Sequence, residues 1–285
     1  MGDVRLVAFD LDGTLLDDRG RMSNESVEAL RRLALSGIAM ASISGRNVGK
    51  SLAPFSPDLR PALHVGSYNG AMVLGTGADD ERPLLHEQRL PEGGFPGVLD
   101  FIGDSRLNFI YCRCEADAPG LNEAYLTDEE TRWIRNLVRM TGVRIVVEPD
   151  LLAGARDFVP PPKMIVLPGP ERREAVFEDM RAAFGGQFYL ARTGDDRIEI
   201  MHPEVNKAVA LREICDACGV APSQSLAIGD GDNDLPMLKA AGIGVLMGNA
   251  DRLTRDSAAE ACVRMCGSLE HEGFSKTVAR YVSDG

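Results

Sequence analysis

Two short runs of acids stand out in this chain of 285 residues. Asp10-Leu11-Asp12-Gly13-Thr14 directly follows the apolar run at 4–9, and Gly229-Asp230-Gly231-Asp232-Asn233-Asp234 directly follows Ser225-Leu226-Ala227-Ile228. Gathering carboxylates is costly unless a cation compensates them. An oxygen-only set without neighbouring His or Cys favours a hard ion, Mg²⁺ above all, which keeps waters and bridges to a substrate phosphate. A calcium-binding EF-hand would need Gly at the sixth loop position and Glu at the twelfth. Counting from Asp230 gives Leu235 and Ala241, and counting from Asp10 gives Leu15 and Arg21, so that reading fails. A third polar turn, Ser44-Gly45-Arg46, ends the apolar run at 38–43.

The elements that must carry these residues follow from pattern. Apolar runs at 4–9, 38–44 and 62–66 alternate with a helical segment at 23–37, which Ser23 caps and Gly37 stops. The last 80 or so residues repeat this order, with helices over 205–218, 233–242, 251–261 and 274–282. Strands are expected there at 225–229, 243–248 and near 262–266. Continuous apolar strands separated by helices imply a parallel sheet covered on both faces. Ligands bind such sheets outside the carboxyl ends of the strands, which is where both acidic runs fall.

The middle of the chain differs. Strands with mixed faces are expected at 107–114, 143–148, 163–167 and 187–192, with helices from Thr127 and over 171–184. Thr127 and Glu130 fit a capping box, and Trp133, Leu137 and Met140 share one face as a core stripe. This segment is expected to be a separate α+β domain, at 85–194, inserted into an α/β core made of 1–84 and 195–285.

Composition removes several function classes. Lys plus Arg number 31 and Asp plus Glu 43, a net charge of −12, which opposes diffuse binding to nucleic acid or an anionic membrane surface. No apolar run approaches the roughly 18 residues of a membrane span. The six cysteines come without an export signal, so free thiols and a cytoplasmic location are expected, and Cys215-x-x-Cys218 lacks a second pair that would make a zinc site.

Four motifs in order carry a family resemblance. Asp10–Thr14, Ser44, Lys207 and Gly229–Asp234 are similar to the four motifs of the haloacid dehalogenase-like (HAD) phosphotransferases. SYNGA (67–71), IEIMHPEVNKAVAL (198–211), GDGDNDLPML (229–238) and MGNA (247–250) resemble the Cof-type phosphatase branch. That resemblance implies a Rossmann-like core with a large α/β (C2B-type) cap. It also implies Mg²⁺-dependent hydrolysis of a small phosphate monoester, a sugar phosphate or related metabolite, through an aspartyl-phosphate. Asp10 would attack phosphorus and Asp12 would act as general acid and base. Asp10, the Asp12 carbonyl and Asp230 would hold the metal, with Asp234 either ligating it or holding one of its waters, and Ser44, Gly45, Lys207 and Asn233 the phosphate. Ser44 stands where Thr is common, and Glu204-Val205-Asn206-Lys207-Ala208 departs from the usual third motif while keeping its Lys.

The other residues read more plainly. Asp232 is either a loop acid or a direct metal ligand, Arg46 either touches substrate or makes a surface ion pair, and Asn69 either contacts substrate or only turns the chain. Arg113, Arg156 and Lys163 are cap cations that could face a cleft, and the cap is where discrimination among phosphates is expected. A phosphomutase or a non-catalytic regulatory protein are the alternatives, and a monomer or small homo-oligomer is expected.

Overall fold

A computed structural model describes residues 4–79, 81–116 and 121–282. In chain order the elements are β1 (Leu6–Phe9), α1 (Asn24–Leu35), β2 (Ala39–Ile43), α2 (Val48–Leu52), β3 (Leu63–Ser67), β4 (Met72–Leu74) and β5 (Leu84–Glu87). There follow α3 (Phe95–Asp104), β6 (Asn108–Ala116), β7 (Leu121–Thr127), α4 (Arg132–Thr141), β8 (Ile145–Val147), α5 (Leu151–Gly154), β9 (Lys163–Leu167), α6 (Arg173–Phe184), β10 (Tyr189–Thr193) and β11 (Arg197–Met201). The chain closes with α7 (Lys207–Cys218), β12 (Ser225–Gly229), α8 (Leu235–Ala240), β13 (Ile243–Leu246), α9 (Arg252–Glu260), β14 (Arg264–Met265) and α10 (Gly273–Tyr281). It divides into two compact units, Met1–Glu87 with Asn206–Gly285, and Gln88–Val205.

The first unit is built on an eight-stranded sheet in the order β14-β13-β12-β1-β2-β3-β4-β5. Its strands from β14 to β3 are parallel, and the β3–β4 and β4–β5 pairs are antiparallel. The central strand β1 is buried on both faces, which is why it reads as an unbroken apolar run. Val7 and Phe9 pack into one cluster with Leu30, Phe55, Ile228 and Phe274. Leu6 and Ala8 pack into the other with Ile43, Leu211, Ile214 and Leu246. Ser23 caps α1 as expected, its hydroxyl accepting from the Ser26 N–H at 3.1 Å.

The second unit has a six-stranded sheet, β10-β11-β9-β6-β7-β8, antiparallel except for the β7–β8 pair. One face carries its core: Phe109, Tyr111, Leu126, Met164, Val166, Ile198 and Ile200 pack with Val98 and Leu99 of α3 and Phe177 and Met180 of α6. The division between units falls after Glu87 and after Val205, where the sequence suggested 84 and 195. The second difference has a clear cause. Ile198–Ile200 pair with β9 and Arg197–Met201 with β10, so this strand completes the second sheet.

Two local expectations need correction. The helix expected from Thr127 begins at Arg132, and its cap is Thr131, whose Oγ1 accepts from the Ile134 N–H at 3.4 Å. Thr127 is instead the last residue of β7, a strand whose sequence LNEAYLT lacks a clear alternation, and its hydroxyl donates to the Phe109 carbonyl at 2.8 Å. The buried residues of α4 are Ile134 and Leu137, while Met140 is 66% exposed, so of the expected stripe Leu137 is buried and Met140 is not.

Candidate active site

The site is assembled at the carboxyl ends of β1, β2 and β12 and the first turn of α7. Asp10 leaves β1 with its N–H still donating to the Ile228 carbonyl at 3.0 Å, a ladder bond that ties the first acidic loop to the fourth motif. Asn206 caps α7 by accepting from the Ala208 N–H at 3.0 Å, which fixes Lys207 as the first helical residue. A cation at a helix N-terminus opposes the helix dipole, so it needs acids nearby. Two are present: Lys207 Nζ donates to Asp10 Oδ1 at 2.6 Å and to Asp234 Oδ1 at 2.5 Å. Lys207 and Asp234 are each 1% exposed.

Asp234 organises its own loop. Its Oδ2 accepts from the N–H groups of Asp230 and Gly231, both at 2.9 Å. Gly229 is required here, since a Cβ on it would come within 2.5 Å of the Asp234 side chain. Asp230 accepts from Thr14 Oγ1 at 3.1 Å and from Asn249 Nδ2 at 3.2 Å. Gly13, at φ 76°, lets the first loop approach it, because a Cβ there would lie 2.1 Å from Asp230 Oδ2.

Electrostatics show how uncompensated this cluster is. Burial raises the Asp10 carboxyl from 3.8 to about 7; Lys207 lowers it and Asp234 adds to the rise. Burial, with Asp234 next, lifts Asp230 to about 6. Burial opposes the charge on Lys207, yet Asp10 and Asp234 outweigh it and push its pKa above the ordinary value. Carboxylate oxygens of Asp10, Asp230 and Asp234 all lie within 4.8 Å of one another. Three carboxylates share one ammonium, so negative charge is left over in a largely buried space. An oxygen-only donor set with that surplus fits a hard divalent cation.

The other expected residues fall around this cluster. Ser44 is buried, its N–H donating to the Gly66 carbonyl at 2.8 Å and its Oγ accepting from the Arg46 N–H at 3.0 Å. Gly45 lies beside Asn69, and Asn233 Nδ2 donates to Asn69 Oδ1 at 3.2 Å. The Asp12 carboxylate is not drawn into the acid cluster. It is 62% exposed and held by both arms of the Arg46 guanidinium, Nε donating to Oδ2 at 2.8 Å and the second amino group to Oδ1. Asp232 is exposed outside the cluster.

Sequence reasoning gave no role to Thr14 or Asn249, and both hold Asp230. Asn249 donates also to the Gly13 carbonyl at 2.8 Å and accepts from the Leu269 N–H at 3.0 Å, so one side chain joins three loops. Its signal was the MGNA run, which marks the end of β13 at the same sheet edge. All six cysteines are free. Cys218 Sγ lies 3.2 Å from His64 Nε2, but among the described residues the only grouping of metal-ligating side chains is the aspartate set. Among the described residues no helix is long and apolar enough to cross a membrane.

Comparison with known proteins agrees with this geometry. A family model for haloacid dehalogenase-like hydrolases matches residues 7–274. A 5-amino-6-(5-phospho-D-ribitylamino)uracil phosphatase of Bacillus subtilis is 24% identical over 257 residues, covering 90% of this chain and 88% of its own. A phosphoglycolate phosphatase of Methanopyrus kandleri is 29% identical over 249 residues, covering 86% and 84%. The crystal structure of TM0651 from Thermotoga maritima superposes with a TM-score of 0.86 at 22% identity, over 99% of this chain and 98% of its own.

Proposed function

The chain belongs to the haloacid dehalogenase-like hydrolases, in their Cof-type branch, and from that premise we propose that it is a Mg²⁺-dependent phosphatase of small phosphorylated metabolites. The observation that carries this reading is Lys207, whose ammonium joins Asp10 and Asp234 beside Asp230. The named relatives act on a phosphorylated ribityl compound and on phosphoglycolate, which supports a small phosphate monoester as substrate.

Asp10 is assigned as the nucleophile. Its carboxylate attacks phosphorus, an aspartyl-phosphate forms, and the alcohol of the substrate leaves. Asp12 protonates the leaving oxygen and then takes a proton from the water that hydrolyses the intermediate. To do so it must turn away from Arg46, which engages both its oxygens. Lys207 holds Asp10 in place and supplies positive charge to the phosphoryl oxygens. The Ser44 hydroxyl, the Gly45 N–H and the Asn233 amide complete the phosphate cradle. Asp10, Asp230, Asp234 and the Asp12 carbonyl would hold Mg²⁺, which when bound offsets the acid surplus and draws charge from the phosphoryl oxygens.

Phosphate release from a panel of sugar, nucleotide and cofactor phosphates, with and without Mg²⁺, tests the reading, with Asp10→Asn as control. The expected result is release that needs Mg²⁺ and disappears in the variant. Isomerised phosphosugar without release would make the protein a mutase. Equal inactivity of wild type and variant across the panel would make it a non-catalytic member.

A further inference from the structure

The segment after β3 carries backbone strain beside the site. Tyr68 has φ 51° and Asn69 φ 57°, followed by Gly70 at φ 100°. Left-handed backbone is disfavoured wherever a Cβ is present, above all for a bulky ring, and Tyr68 is fully buried. Such strain persists only where surroundings over-determine it, and it concentrates at functional sites. The surroundings here are the site loops. The Asn69 N–H donates to the Ser44 carbonyl at 3.0 Å and the Tyr68 N–H to the Arg46 carbonyl at 2.9 Å. Gly70 packs so closely that a Cβ on it would lie 2.7 Å from the carbonyl oxygen of Asn206, the residue before Lys207.

The Asn69 side chain adds a link to the fourth motif. Its Oδ1 accepts from Asn233 Nδ2 at 3.2 Å. A Cβ at position 45 would sit 3.2 Å from that same oxygen, so glycine there leaves it room. An asparagine amide can present an oxygen or an NH₂ group, and only the NH₂ end suits an anion. With one N–H of Asn233 engaged by Asn69, the orientation of the amide is set and the other N–H remains for a ligand.

We propose that Asn69 is a positioning residue for phosphate binding: the left-handed turn at 68–70 aims its Oδ1 so that Asn233 presents Nδ2, not Oδ1, to the phosphate. This rests on the phosphatase reading, because it requires Asn233 to serve phosphate.

A double-mutant cycle on the Mg²⁺-loaded protein tests it, using Asn69→Gly, Asn233→Ala and the pair. Glycine keeps the left-handed backbone while removing the amide. The readouts are the affinity for inorganic phosphate, by calorimetry, and kcat and KM for phosphate release. Each single variant is expected to weaken inorganic phosphate about tenfold, the range for a hydrogen bond to a charged group, with the loss in KM more than in kcat. The pair should be no weaker than Asn233→Ala alone, a non-additivity that a merely structural role would not produce. Asn69→Asp keeps an acceptor oxygen and tolerates the turn, so at high salt, where its added charge is screened, it should bind phosphate better than Asn69→Gly. Additive losses, or wild-type phosphate affinity in Asn69→Gly, overturn the proposal. If wild type neither binds inorganic phosphate nor releases it from any ester, the phosphatase reading falls as well. If wild type does both and the cycle is additive, only the role of Asn69 falls.

Discussion

The two compact units hold buried charge in different settings. In the unit of Gln88–Val205, Lys163 meets Glu199 at 3.1 Å and Arg197 meets Asp196 at 2.9 Å, and both pairs lie on strands of its sheet or at their ends. In the other unit, Lys207 bridges two carboxylates and a third stands within reach of both. Ion pairs along a sheet can be structural and need no ligand to settle them. An unbalanced buried cluster raises the pKa of its members, as Asp10 and Asp230 show, and persists where function requires it. Under the proposed function, the contrast separates charges that hold a sheet together from charges arranged for chemistry.

The sharpest way to break that contrast is Asp10→Asn. The change removes one carboxylate from a cluster with too many while keeping the side chain's shape. Phosphate release should fall by on the order of 10⁴-fold, the scale seen when one member of a catalytic set is lost. The thermal midpoint, measured in the same preparation with a chelator present, should hold or rise. A large fall in the midpoint would mean that Asp10 serves the fold, and the contrast would collapse.

Lys207→Met tests the same cluster from the cation side. It leaves Asp10 and Asp234 buried without their ammonium, and the penalty should be about 3–5 kcal/mol of unfolding free energy by denaturant titration. Lys163→Met, in the other unit, leaves a Glu199 that retains 15% side-chain exposure, and about 1–3 kcal/mol is expected. Equal costs in the two variants would say that both ions belong to ordinary structural pairs.

How much of this was legible in the sequence follows the same division. Core strands buried on both faces are continuous apolar runs, and the acids that end them are visible because they break those runs. Lys207 was legible through its motif, but its bond to Asp234 was not, since one opens α7 and the other lies 27 residues on, after β12. Arg46 shows the limit more plainly. Sequence left open whether it paired on the surface, and only the folded loops bring it onto Asp12. In the second unit, β7 (LNEAYLT) keeps no period-2 alternation and ends in Thr127, a good helix cap by type. Tertiary pairing with β6 decided its conformation, and propensity did not.

Asp12 probes the boundary between the two kinds of charge. Its pair with Arg46 has the form of a surface ion pair, since the carboxylate is 62% exposed. Asp12→Ala should therefore change stability by less than about 1 kcal/mol, the ordinary worth of such pairs. Turnover should nevertheless fall by about 10²–10⁴-fold, the contribution of general acid and base catalysis. Loss of stability without loss of turnover would move Asp12 into the structural class.

The smallest expected effect tests whether unbalanced electrostatics in the first unit is confined to the carboxyl ends of the strands. His64 lies on β3, buried, with Cys218 Sγ 3.2 Å from Nε2, and its Nδ1 has no partner among the described residues. Burial, with Arg82 next, lowers its pKa below 6.5. The unfolded chain then binds more protons than the folded one between that lowered value and 6.5, so the contribution of His64 to stability is complete above 6.5 and is lost as pH falls through the window. Asp10 and Asp230 act in the opposite sense in metal-free protein, because their raised values make the folded state the better proton acceptor between about 4 and 7. Wild type alone would show the sum. The difference in thermal midpoint between wild type and His64→Gln, followed from pH 7.5 to 5 in chelator, isolates the histidine. It should tilt toward the variant as the pH falls. A difference that stays constant with pH would mean that His64 is not held neutral, and that the strand ends alone carry the charge imbalance of this unit.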